Sequence, residues 1–454
     1  MRKRIWATLL FAAACETTPS PTPALVEPPS CAGKSGCITT VIGYGVNELP
    51  TQEGSVGWKT AMSQPLDMTV GPDAKLYFLD WNNHMLRLWD PKSQQTKTLA
   101  GTGEIGDLGA GGPAVKARLN HPTDLAFTAD GSILMAAWHN SKIKKLDLAT
   151  GILTDVCGTG LRNFAGDGGP AAKAVLDLPV ALAIDAKGAI YITDQANMRI
   201  RVVDTQDKIS TWLGDRWVTD TGRKDGVPKT DDKGRYVDCN GTPTADAEKY
   251  QLVATVLADG TPGFKRFVDQ AGVEVQLAIP LPDKCPGFGG DGGSVAAAAM
   301  AMQASQSAIP NGKMAIDRDH EVLYFADTMN HRIRKVDLKT GVVTTWAGNG
   351  KAAYGGDGGP ALDASFNTPV DLDLMADGSL LVADTFNHCI RKIDAAGKIT
   401  TFAGTCGSKG GFSGDGGAAH AAKLKRPFGV HVDKKSGRVY IADTQNNRIR
   451  VVEP

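Results

Sequence analysis

Short alternations of apolar and polar residues, set off by glycine, aspartate and asparagine, fill most of this chain. Leu182-Ala183-Ile184, Ala189-Ile190-Tyr191-Ile192-Thr193 and Ile200-Arg201-Val202-Val203 read as successive strands separated by tight turns. The clearest copy of the pattern runs from Val322 through Asp327, Asn330 and His331 to Asp337, and matching segments place an asparagine at 83, 140, 197, 330, 387 and 446. The intervals are 57, 57, 133, 57 and 59 residues, so one insertion interrupts an array of six units.

Each unit has one grammar. A proline (Pro65, Pro122, Pro179, Pro310, Pro369, Pro427) opens a first strand, a glycine turn leads to a second, an Asp/Asn turn leads to a third, and a fourth follows, as in Val342 to Ala347. Four short strands per unit predict an all-β, six-bladed β-propeller. The last unit stops at Val451-Val452-Glu453-Pro454, after its third strand, while Cys37 to Gly43 matches the fourth-strand pattern. The N-terminal strand is therefore expected to close the last blade, removing an open edge. The insertion, residues 215–285, falls between blades three and four. Its alternation around Gln251 to Val256 and Gly272 to Ile279 predicts hairpins forming a lid or rim over the face of the Asp/Asn turns.

Asn83-His84, Asn330-His331 and Asn387-His388, with the loop Gly166-Asp167-Gly168-Gly169-Pro170-Ala171, are where the chain resembles the NHL-repeat propellers, in particular the bacterial lipoprotein and teneurin-like types. The resemblance runs from Cys37 to Pro454 and implies the six-bladed fold. It leaves chemistry open, since that family includes scaffolds, receptors and a few enzymes.

The recurrent polar residues have a structural explanation. Asp80, Asp194, Asp327, Asp384 and Asp443 stand three before the asparagine, and Arg87, Lys144, Arg201, Arg334, Arg391 and Arg450 four after it. The aspartate is expected to cap the turn, the asparagine to take a left-handed conformation, and the cation to pair nearby. In the Gly-Asp-Gly-Gly loops around Asp167, Asp291, Asp357 and Asp415, Pro170 and Pro360 suit the start of a short helical turn, and the glycines permit close approach to the neighbouring blade. Blade two lacks both aspartates, having Ala110 and Ala137, which implies that the pair serves one local purpose. Trp138 and His139 replace the small polar residues there and create an apolar spot.

First strands of propellers line the channel. That places Asp67, Asp124, Asp371, Asp373 and His431 around one axis, with Lys313 brought in by one extra residue after Pro310. Converging carboxylates require solvent, a paired cation or a metal, and oxygen ligands favour calcium or magnesium, so these five are the candidate metal ligands.

Forty-nine basic and 49 acidic residues balance without a charged block, which argues against a nucleic-acid partner. Arg2, Lys3 and Arg4 followed by apolar Ile5 to Ala14 read as a signal peptide, residues 1–14. Ala12-Ala13-Ala14-Cys15 resembles a lipoprotein box, with Ala12 where leucine is usual, so both lipidation at Cys15 and simple cleavage before it stay open. Residues 15–36 are expected to form a lipid-anchored, disordered tether, and 37–454 the propeller. Export permits disulfides: Cys31 can pair with Cys37 and Cys239 with Cys285, while Cys157, Cys389 and Cys406 are expected to be buried thiols.

No nucleophile elbow, P-loop, dinucleotide fingerprint or HExxH motif occurs. The expected function is a periplasmic or cell-surface scaffold, monomeric, held to a membrane by its N-terminal lipid alone. It would bind a protein, peptide or glycan through Trp81, Trp138, His139, Met329 and Phe386. The rival is a metal-dependent propeller lyase or hydrolase with a cation in the channel.

Overall fold

The computed structural model describes residues 26–50, 53–214, 250–256, 262–269, 289–303 and 308–454. Six antiparallel sheets, each with four principal strands, form the blades of one ring. Blade one comprises, from axis to rim, Pro65–Val70, Leu76–Asp80, Met85–Trp89 and Thr96–Ala100. Blades two to five repeat this order from Pro122–Phe127, Pro179–Ile184, Met314–Asp317 and Pro369–Leu374.

Blade six carries the closure. Gly429–Val432, Val439–Asp443 and Arg448–Val452 come from the C-terminal end, and the fourth strand is Cys37–Ile42. It pairs antiparallel, Ile38 with Val452 and Thr40 with Arg450. A Cys31–Cys37 disulfide precedes this strand. Cys389 and Cys406 are also bridged, which corrects the reading of both as buried thiols; Cys406 stands in the loop after the outer strand of blade five, and only tertiary folding brings it beside Cys389. Cys157 is a free, buried thiol. Cys15 and the Cys239–Cys285 pairing lie outside the described residues.

Because a blade is flanked on both faces, its strands bury side chains both ways, and the core is a series of layers between neighbouring blades. Ile42, Met68, Phe78, Trp89, Tyr440 and Ile449 form the layer that joins blade six to blade one, so the closing strand is part of the core. A smaller cluster of Leu66, Val370 and Phe428, with Trp81 and Ile309 against it, draws together residues from around the ring. Within the insertion, Tyr250–Val256 pairs with Pro262–Asp269 as a hairpin; Gly272 to Ile279 lies outside the described residues. Among the described residues no helix is long and apolar enough to cross a membrane.

Deleting residues 37–43 removes buried Ile38 and Ile42 and exposes the edge of Arg448–Val452. Soluble yield is expected to collapse, and any soluble fraction to melt well below the parent in a thermal scan; a truncated protein melting like the parent would refute the closure.

Candidate functional site

Each blade passes from its second to its third strand through a single 3₁₀ turn. In blade five, Asp384 accepts hydrogen bonds from the Asn387 amide group at 2.8 Å, the Asn367 backbone N–H at 2.8 Å and the Arg391 guanidinium at 3.3 Å. Burial pushes its carboxyl up to about 6, against these donors. Arg391 is fully buried and also binds Asp357 of the Gly-Asp-Gly-Gly loop at 2.5 Å. Arg201 bridges Asp194 and Asp167 in the same way, and Arg334 bridges Asp327 and Asp291. The loop and turn aspartates therefore share one buried cation, which compensates charges that are costly alone.

Blade two explains itself on these terms. With Ala110 and Ala137 in place of both aspartates, Lys144 sits between Asp107 at 2.6 Å and Asp155 at 2.7 Å, and Asn140 Oδ1 accepts the Asn120 N–H at 3.0 Å. Two expectations shift by a few atoms. The left-handed residue is the one after the asparagine, His84 at φ 55° or His388 at φ 60°, because the asparagine side chain is needed as a donor to the aspartate. The close approach at Gly166, φ 95°, is to Ala174 of its own loop, where a Cβ would lie 2.7 Å from the Ala174 Cα.

The left-handed residue reaches the next blade. His84 Nδ1 accepts the His121 N–H at 3.2 Å, His331 Nδ1 that of Thr368 at 3.2 Å, His388 Nδ1 that of Arg426 at 3.0 Å, and Asn447 Oδ1 that of Gln64 at 2.8 Å. An imidazole accepting at Nδ1 carries its proton on Nε2 and is neutral. Burial lowers the pKa of all three histidines, which keeps them acceptors.

Around the axis, carboxylates perform the same task. Asp67 accepts the Leu125 N–H of the next blade at 3.2 Å, Asp124 that of Leu182 at 2.5 Å, Asp371 that of Val430 at 2.9 Å, and Asp373 that of Val432 at 2.8 Å. His431 Nε2 accepts the Val70 N–H at 3.0 Å, so its proton lies on Nδ1, 3.1 Å from Asp373. The Lys313 ammonium lies 2.7 Å from Asp67 and 3.5 Å from both Asp124 and Asp371. Burial pushes the Asp371 carboxyl up to about 7, with Lys313 opposing, and raises that of Asp124 through burial and the neighbouring Asp67. Burial lowers the Lys313 pKa, but the three carboxylates outweigh it and hold the ammonium charged.

The five candidate ligands divide into a trio around Lys313 and a separate Asp373–His431 pair, and among the described residues no group of three or more His, Cys, Asp or Glu side chains is placed to hold a metal. An internal ammonium lies among Asp67, Asp124 and Asp371.

Blades one and two depart from the periodic chemistry. In blades three, five and six the first turn residue pins the next blade: Thr385 donates to the Pro427 carbonyl and Thr444 to that of Pro65, both at 2.8 Å, and Gln195 to that of Gln303 at 2.7 Å. Blades one and two place Trp81 and Trp138 there, neither with a partner for its indole N–H. Trp138 stacks on His139 at 4.1 Å, His139 meets His121 at 4.8 Å, and His121 meets Trp81 at 4.7 Å and His84 at 4.3 Å. Trp81, His121 and His139 are half-buried, whereas Trp138 is 1% exposed, which corrects its placement on a binding face: it supports the others from the core. Met329 and Phe386 occupy the equivalent turns of blades four and five, Phe386 beneath Arg426, and do not enter this cluster. His121 escaped sequence reasoning because it precedes a blade proline and meets His139 only through the turn of its own blade.

The repeat grammar and the closed six-bladed ring together decide the family. This is an NHL-repeat propeller. No protein-family model matches the chain. Human NHL repeat-containing protein 2 is 25% identical over 391 residues, 81% of this chain and 43% of that protein. The Arabidopsis thaliana protein SUPPRESSOR OF QUENCHING 1, chloroplastic, is 28% identical over 330 residues, 70% of this chain and 24% of that protein. Mouse teneurin-4 is 28% identical over 193 residues, 37% of this chain and 7% of that protein. The NHL propeller thus spans less than half of each curated relative. Among solved structures, an auxiliary nutrient binding protein from Bacteroides thetaiotaomicron has a TM-score of 0.55 at 15% identity, covering 91% of this chain and 75% of that one, a likeness of fold.

Lys313→Met leaves three buried aspartates without their cation and is expected to cost about 3–5 kcal/mol at pH 8. A carboxyl whose folded pKa lies above its unfolded value stabilises below the unfolded pKa and loses that contribution as pH rises through the folded one. Removing the ammonium raises the folded values further, so the gap to the parent in denaturant titrations should narrow between pH 8 and pH 5; a gap that widens on acidification would contradict the assignment.

Proposed function

We propose that this NHL propeller is an exported, membrane-tethered binding scaffold that takes a protein, peptide or glycan on the face of the Asp/Asn turns, at the joint of blades one and two. One observation carries the reading. The first turn residues of blades three, five and six hold the ring, whereas Trp81, His121 and His139 bring partly open rings together at the joint of blades one and two.

Export is supported by the two disulfides among the described residues and by the charged, apolar and small-residue order before Cys15. The auxiliary nutrient binding proteins of Bacteroides thetaiotaomicron and Bacteroides ovatus share the fold. The outer strand of blade six begins at Cys37 beside Val452, the end of its neighbour remote from the Thr444–Asn446 turn. The described N-terminal strand therefore begins on the side of blade six opposite the turns.

Polysaccharide and protein fractions of a cell-envelope extract, added separately, should change tryptophan emission of the parent. Trp81→Ala with His139→Ala should weaken the response at least tenfold; equal binding by parent and variant would overturn the site. Independently, Cys15→Ser should move the protein from the membrane to the soluble fraction, and an unchanged distribution would remove the anchor.

A further inference from the structure

The rings at this joint have a hydrogen-bonding polarity. His121 Nδ1 lies 2.8 Å from Asn120 Oδ1, an acceptor, so Nδ1 carries the proton and Nε2 is left as a lone pair. His139 Nδ1, 3.1 Å from that same nitrogen, must then accept, which puts its proton on Nε2. Among the described residues neither Nε2 has a hydrogen-bond partner, although both residues are partly exposed. One neutral acceptor and one neutral donor thus stand on rings whose centroids are 4.8 Å apart, flanked by the Trp81 and Trp138 indoles.

Among the described residues, no group that contacts these rings carries a free charge. Arg162, the cation that bears on His139, is tied to Asp177 at 2.6 Å. Burial, aided by the neighbouring imidazoles, depresses His121 to about 3; burial and Arg162 depress His139 to about 4. An anionic ligand finds no cation here, and a basic peptide finds no carboxylate. A hydroxyl group, which donates and accepts at once, matches the imidazole pair, and the C–H face of a pyranose matches the electron-rich face of an indole.

We infer that the ligand of this joint is a neutral oligosaccharide, held by hydroxyl bonds to His121 and His139 and by stacking on Trp81. The inference rests on the proposed binding face and specifies its occupant. Full-length protein is titrated with cellohexaose, maltohexaose and mannohexaose, with polygalacturonate and an unrelated neutral peptide as contrasts, reading tryptophan emission and calorimetric heat. At least one neutral hexasaccharide should bind, and His139→Ala and His139→Phe should each weaken it tenfold or more, while melting within a few degrees of the parent. His139→Phe keeps the ring and removes the N–H, so its loss separates hydrogen bonding from packing.

Binding by none of the neutral sugars, binding by polygalacturonate alone, or neutral-sugar binding indifferent to both His139 variants would overturn the inference. If the peptide, or an envelope protein fraction, binds and loses affinity in the Trp81 and His139 variants, the binding face stands and the sugar assignment falls. If neither sugar nor protein responds to those variants, both fall.

Discussion

The blades of this ring are separate sheets: no backbone ladder runs from one to the next. The inner strands nevertheless crowd around a buried axis, where an unpaired N–H costs as much as a lost hydrogen bond. Side chains therefore supply the acceptors. Asp67, Asp124, Asp371 and Asp373 reach forward to the next inner strand, His84, His331, His388 and Asn447 to the residue before the next proline, and Thr385, Thr444 and Gln195 act alongside them. Blade three has Ala181 and Met198 at the first two of these positions, and its joint to blade four uses Thr193 on the Gly312 carbonyl and Arg318 on that of Ile184.

The electrostatics follow from this need for acceptors. Carboxylates are strong acceptors but expensive to bury, so each buried group of them comes with a cation: an arginine between two aspartates in blades three, four and five, and Lys313 among three aspartates on the axis. The recurrent aspartates are structural, and the acidic channel is largely neutralised from within. Polar residues converging on an axis, which suggest a metal in many folds, here serve to hold the blades together.

A repeat protein advertises function where its repetition fails without structural reason. Ala110 and Ala137 have such a reason, since Lys144 with Asp107 and Asp155 rebuilds the charge cluster. Trp81 and Trp138 take first turn positions that carry hydroxyl or amide pins in other blades, and Trp81 and His139 add partly open rings at the turn face. The cost falls on the blade seams, which in this part of the ring rely on packing of Trp138 against the cluster around Leu178, Val180 and Met302.

The period of 57 residues, the proline openings and the orphan strand at Cys37 to Gly43 determined by themselves the number of blades, the strands in each and the closure, because all of these are local patterns repeated at fixed spacing. The joint loss at Ala110 and Ala137 even pointed to one local purpose for two distant aspartates. Tertiary structure alone decided what the polar residues touch. Nothing local links Lys313 to Asp67, His388 to Arg426, His121 to His84 or Cys389 to Cys406; those contacts depend on the angle between neighbouring sheets and on ångström-scale placement of side chains. A sequence pattern fixes which face a residue takes, whereas hydrogen bonding falls off steeply with distance and angle and charge compensation weakens with separation, and only the closed ring sets those positions.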